Sequence, residues 1–136
     1  MKLKGLNTLT KRIFISFAIE DRSLRDFFIG QARNEHSPFE FVDMSVKKPW
    51  DSSWKTNCRT RIKGCDGVIA IVTKNTKNAE GQLWEIKCAK EEGLPVIGIW
   101  GSATIANRPV TLPLELNGVR VTNWTWNNIA SWIKKL

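Results

Sequence analysis

Two apolar runs without alternation constrain this chain more than any other feature: Val68-Ile69-Ala70-Ile71-Val72 and Val96-Ile97-Gly98-Ile99. A strand with one wet face alternates apolar and polar residues. A run that is apolar at every position has both faces covered, as in a parallel sheet layered by helices. Arg12–Phe17 and Phe39–Asp43 read as two further strands, β-branched and aromatic in content.

The segments between these runs follow helical spacing. After the polar turn Glu20-Asp21-Arg22-Ser23, apolar residues recur at Leu24, Phe27, Phe28 and Ala32, and Ser37-Pro38 ends that helix. Met44–Ser53 reads as a loop closing on three good N-cap residues, Asp51, Ser52 and Ser53. Trp54, Cys58, Ile62 and Cys65 then share one helical face, so the two thiols are core residues. Lys74–Gly81 is a polar loop. A helix from about Gln82 to Glu92 stops at Gly93, with Leu83, Ile86 and Ala89 inward and Glu85 at the edge of that stripe. Gly101–Pro113 is a loop, and Gly118–Val121 is expected as a fifth strand. Trp126, Ile129, Ala130, Ile133 and Leu136 mark an amphipathic last helix capped by Thr125.

Strands alternating with helices predict one α/β domain over residues 1–136: a flavodoxin-like, doubly wound parallel sheet of about five strands, helices on both faces and right-handed crossovers. The strand ends after Phe17, Asp43, Thr73 and Trp100 converge on one edge, where open α/β sheets bind ligands. No internal repeat and no linker interrupts the chain.

Other classes fall away. No apolar stretch approaches the roughly 20 residues that span a bilayer. The segment Met1–Lys11, basic and without an apolar centre, does not read as a secretory signal, so a cytoplasmic location and no membrane partner are expected. Cys58, Cys65 and Cys88 make an odd count without a Cys-x-x-Cys pair, against a disulfide framework or zinc site. The single histidine, His36, lies on a loop and leaves no His-based metal cluster, so no metal is expected. The net charge of +8 attracts anions, but the basic residues are scattered, which reads as a solvated surface rather than a nucleic-acid stripe.

Within this frame Glu85 stands out. It is a carboxylate near the start of a helix, just past a buried strand. The alternative is an acid placed there only by the helix macrodipole.

Four blocks carry a family likeness: Ile13-Phe14-Ile15-Ser16-Phe17 with Asp21; Phe41-Val42-Asp43-Met44-Ser45; Gly67–Thr73; and Trp84-Glu85-Ile86-Lys87-Cys88-Ala89 leading to Gly93–Ile99. In register over residues 12–100, they resemble the Toll/interleukin-1 receptor (TIR) fold, and more closely the short bacterial TIR-like proteins of the Thoeris antiphage type. The resemblance implies an NAD-consuming activity with Glu85 as its catalytic residue, NAD being substrate and no cofactor being required. It also implies self-association through TIR–TIR contacts and a downstream effector that senses the nucleotide product. Many TIR enzymes have a tryptophan four residues before the glutamate; here that position is Gly81, and the tryptophan is adjacent, at Trp84.

The implied chemistry suits a single carboxylate. Nicotinamide leaves as a neutral ring, so no acid is required, and the ribose becomes oxocarbenium-like near the carboxylate. Ordinary glycosidases need a second acid. In a site that excludes water, an adenine nitrogen of the folded dinucleotide can capture the ribosyl cation, giving a cyclic ADP-ribose isomer instead of ADP-ribose. Phe17, Trp50 and Trp54 are candidates to stack a flat ring, although Phe17 and Trp54 also suit the core. Ser16, Ala18, Ser45 and Asn75 are placed for backbone contacts to phosphate or ribose, Asp43 for ribose, and Trp84 beside the carboxylate. Lys47, Lys48, Arg59 and Arg61 could neutralise a diphosphate. Asp21 is either an acidic site residue or a helix N-cap.

Two competing functions remain and a third falls away. A non-catalytic TIR interaction module uses the same fold. A nucleic-acid binder is suggested by charge alone. A phosphorylatable receiver domain needs aspartate and lysine where Thr73 and Trp100 stand, and is rejected.

Overall fold

In this computed structural model residues 10–136 are described, so most of the basic start, residues 1–9, lies outside the described residues. Five parallel strands form one sheet: β1 (Arg12–Ser16), β2 (Glu40–Val42), β3 (Gly67–Val72), β4 (Val96–Trp100) and β5 (Val121–Thr122), in the order β2-β1-β3-β4-β5. Among the described residues four α-helices cover it: α1 (Arg22–Asn34), α2 (Ser52–Lys63), α3 (Glu80–Glu91) and α4 (Trp126–Lys134). The architecture is the doubly wound α/β sheet that the strand pattern predicts.

Successive strand residues point to opposite faces, and the core divides accordingly. Ile13, Ile15, Ile69, Ile71, Ile97 and Ile99 pack with Phe28 of α1 and with Ile129 and Ile133 of α4. Phe14 and Val68 face the other way, onto Trp54, Cys58 and Ile62 of α2 and Cys88 and Ala89 of α3. Ala70 and Val72 pack with Ile86 on that same second face. Both faces of β3 are fully covered, which accounts for its unbroken apolar run. Burying an Ile, Phe or Leu side chain contributes roughly 1.5–3 kcal/mol.

Helix ends follow local chemistry. Asp51 caps α2 by accepting from the Trp54 amide (3.0 Å), and Thr125 caps α4 by accepting from the Asn128 amide (3.1 Å). Helix α3 ends at Glu91, and Gly93 just beyond it has a φ of 73° that lets the Leu94 amide return to the Ala89 carbonyl.

Three expectations need correction. Phe27 is 61% exposed, because its neighbour Phe28 takes the inward position one helical step away; Phe27 rests edge-on against Trp124 instead. The last strand is Val121–Thr122, overlapping Gly118–Val121 at one residue only, since residues 114–118 form a turn that seats Leu116 in the core. The inward stripe of α3 is Gln82, Glu85, Ile86 and Ala89; Glu85 lies within it, and Leu83 is only half-buried. No helix among the described residues is long and apolar enough to cross a membrane.

Candidate active site

Strand parity brings the site together. Ser16, the last residue of β1, points to the same face as Phe14 and so meets α3, where Glu85 is fully buried. The Ser16 hydroxyl donates to Glu85 Oε1 at 2.8 Å. Lys47, on the loop between β2 and α2, donates to Glu85 Oε2 at 2.7 Å, with only 6% of its side chain exposed. Its Nζ also lies 4.0 Å from the centre of the Phe17 ring, a cation–π distance. One ammonium is thus held between a carboxylate and an aromatic face.

The surrounding chain fixes this arrangement. Trp54 Nε1 donates to the Val46 carbonyl (2.6 Å) and Arg22 to that of Ser45 (2.7 Å), which holds the Lys47 loop against the body. Lys47 then crosses the first turn of α3 at Gly81. A Cβ there would meet Lys47 Cβ at 2.8 Å and Cγ at 3.2 Å, so the position tolerates no side chain in this arrangement.

Burial pushes the Glu85 carboxyl up from its usual range to about 7; Lys47 and then Ser16 pull it down, and Asp43 nearby adds to the rise. The Cys58 thiol is raised by its own burial and next by Glu85, so it stays neutral.

A cavity of about 330 Å³ opens beside this pair, lined by Lys47, Trp50, Pro49, Ile19, Gly81 and Gln82. Glu85 itself is not on its wall. A carboxylate aimed straight into a cleft is therefore not what this conformation presents: Lys47 lies over it, because a bare carboxylate in apolar surroundings is far costlier than a paired one. A larger cavity, of about 680 Å³, lies by the end of β4 among Phe27, Trp100, Arg108 and Trp124. It shares no lining residue with the first, and Arg108 stacks on Trp100 there (4.9 Å).

The expected site residues separate into groups. Ser16, Phe17 and Glu85 gather around Lys47. Ala18 is buried beside them and accepts the Asp21 amide. Trp50 is 75% exposed on the cavity rim. Asp43 is tied to Arg25 (2.7 Å), and Ser45 is exposed, offering its carbonyl to Arg22. The Asn75 side chain is occupied: it donates to Asp21, which also accepts from Thr73. Asp21 thus ties two loops together and makes no side-chain cap on α1. Trp84 faces away from the pair, toward Trp54 and under Arg59, because adjacent helical residues diverge by about 100°. Of the cations offered for a diphosphate, Lys47 alone reaches the cavity wall; Arg59 is paired with Glu91 and Glu92, Arg61 donates to the Asp43 carbonyl, and Lys48 is exposed.

Gln82 escaped the sequence reading. Its amide nitrogen donates to the carbonyls of Ser16 (3.1 Å) and Ile71 (2.8 Å), clamping the ends of β1 and β3. Its Oε1 is the one buried side-chain oxygen or nitrogen among the described residues without a partner. The signal was present: Gln82 lies three residues before Glu85 and four before Ile86, on the inward face.

A family model described as Thoeris protein ThsB, TIR-like domain, matches residues 14–104, about two-thirds of the chain. The match runs from β1 to the loop beyond β4 and includes Ser16, Lys47 and Glu85. No curated protein matches the chain.

Proposed function

The chain belongs to the TIR-like domain family of the Thoeris protein ThsB, and from that premise we propose that it cleaves the nicotinamide–ribose bond of NAD. The products are ADP-ribose or a cyclic isomer of it, made as a signal in antiphage defence. NAD is consumed as substrate. A downstream effector reads the product, and self-association through TIR–TIR contacts accompanies activity.

The observation that carries this reading is Glu85: a fully buried carboxylate beside the C-terminal end of β1, held by one hydroxyl and one ammonium. An ionised carboxylate in a water-poor site stabilises the ribosyl cation as nicotinamide departs. At about 4 Å and an effective dielectric near 20 the attraction amounts to roughly 4 kcal/mol. Ser16 orients the carboxylate and favours its charged form. Trp50, at the cavity rim, offers a flat face to a base. Neither proton donation to the leaving group nor a second carboxylate is needed.

One observation favours a non-catalytic interaction module: both Glu85 oxygens already have partners. Mass analysis after incubation with NAD separates the two. Free nicotinamide with ADP-ribose or its cyclised isomer supports the enzyme. Intact NAD at every protein concentration, including those at which the chain self-associates, supports the module.

A further inference from the structure

The Lys47 ammonium occupies a site made for a positive charge. It sits 2.7 Å from Glu85 Oε2 and 4.0 Å from the centre of the Phe17 ring, almost wholly buried. A carboxylate on one side and an aromatic face on the other suit a cation of any chemistry, provided it fits. We propose that Lys47 is a built-in occupant of the site for a cationic pyridinium ring, and that substrate enters by exchanging one positive charge for another. The inference rests on the reading of Glu85 given above and adds the basis of selectivity.

Exchange of like charges is the inexpensive route into such a site. Removing one partner of a buried ion pair costs about 3–5 kcal/mol when nothing replaces it. A neutral ligand displacing Lys47 leaves Glu85 either uncompensated or forced to take up a proton, and bears that cost. An N-ribosyl pyridinium restores the charge in the same place, and its ring can meet the Phe17 face as the ammonium does. The displaced ammonium has somewhere to go. Glu20 and Glu80 are exposed and line the same cavity as Lys47, so a swing of its flexible stem exchanges one carboxylate for others at the rim. Ser45, Val46, Lys48 and Trp50 around it are exposed, and a ring with its ribose fits a volume of about 330 Å³. The site therefore discriminates by charge: it takes the oxidised, cationic nicotinamide ring and refuses the neutral dihydropyridine of the reduced dinucleotide.

The test uses two small probes that differ in charge, 1-methylnicotinamide (cationic) and nicotinamide (neutral), with binding measured by calorimetry at pH 8.5. Lys47→Met vacates the site while keeping an apolar stem. It is expected to bind 1-methylnicotinamide at least tenfold more tightly than wild type does, with nicotinamide little changed. Lys47→Arg keeps the site occupied and is expected to match wild type. Glu85→Gln is expected to show no preference for the cation. If the methionine variant does not fold, judged by thermal unfolding, Lys47→Gln takes its place. Equal affinity of vacated and wild-type protein for the cation, or an equal gain for both probes, overturns the proposal. Nicotinamide release from NAD is scored separately. Turnover without cation preference sinks the exchange and leaves the enzyme; cation preference without turnover does the reverse.

Discussion

Glu85 should make stability fall as pH rises, opposite to an ordinary salt-bridged carboxylate. Burial raises the group from the usual 4.5 to about 7 in the folded chain. Between these values the folded state holds a proton that the unfolded chain has released. Unfolding therefore releases protons, and stability drops with rising pH until the folded-state value is passed. The contribution is fully present below about 4.5 and lost above about 7. At roughly 1.4 kcal/mol per pKa unit the loss amounts to about 3 kcal/mol. The assay is urea unfolding, followed by tryptophan fluorescence, of wild type and Glu85→Gln at intervals from pH 4.5 to 8. The difference in stability between the two cancels the other titrating groups. It should shift by about 3 kcal/mol in favour of the glutamine variant across this range. With a urea slope of roughly 1–3 kcal/mol per molar, the midpoints should separate by on the order of 1–3 M. A difference that stays flat with pH would falsify the assignment of Glu85 as a desolvated carboxylate, and an opposite slope would mean that Lys47 outweighs burial.

Three other perturbations probe the same region. Gly81→Ala should destabilise by about 1–3 kcal/mol in thermal or urea unfolding, because its Cβ would meet Lys47 Cβ at 2.8 Å; the helix-propensity gain of about 1 kcal/mol would prevail only if the Lys47 loop gave way freely. Ser16→Ala removes the hydroxyl that favours ionised Glu85, so the acidic limb of the kcat/KM profile for NAD should move to higher pH, with a loss of about tenfold at neutral pH; an unmoved limb contradicts the role given to this bond. Trp84→Ala should cost about 3 kcal/mol of stability, the low end for a tryptophan because it is only part-buried, by removing the packing on Trp54, while KM for NAD in the folded fraction stays within about twofold; a large rise in KM would return Trp84 to the site.

The sheet was legible because its signal is local and redundant. The runs at Val68–Val72 and Val96–Ile99 have no other economical burial, and Asp51 and Thr125 declare helix starts by their own chemistry. The α2 stripe of Trp54, Cys58 and Ile62 needs only a period of 3.6 residues. The misread parts depend on phase and on tertiary contact. Placing Leu83 inward on α3 hid Gln82 and moved Glu85 to an edge, an error of about 100° that neighbouring apolar residues could not resolve. The capture of Glu85 by Lys47 links positions 38 residues apart through a loop of no regular period. Asp21 reads in the sequence as a cap or a site acid, yet its carboxylate accepts from Thr73 and Asn75 on the next loop, a contact between positions more than 50 residues apart. The short β5, two residues long, carries too little pattern to be placed.

The most direct measurement is the rate of nicotinamide release from NAD by wild type and by Glu85→Gln, at the same pH and with matched folded fractions. About 2.7 kcal/mol of lost transition-state stabilisation corresponds to a hundredfold slower rate, and a drop of at least that size is expected in the variant. Release at equal rates from both proteins would contradict the claim that this buried carboxylate does the chemistry.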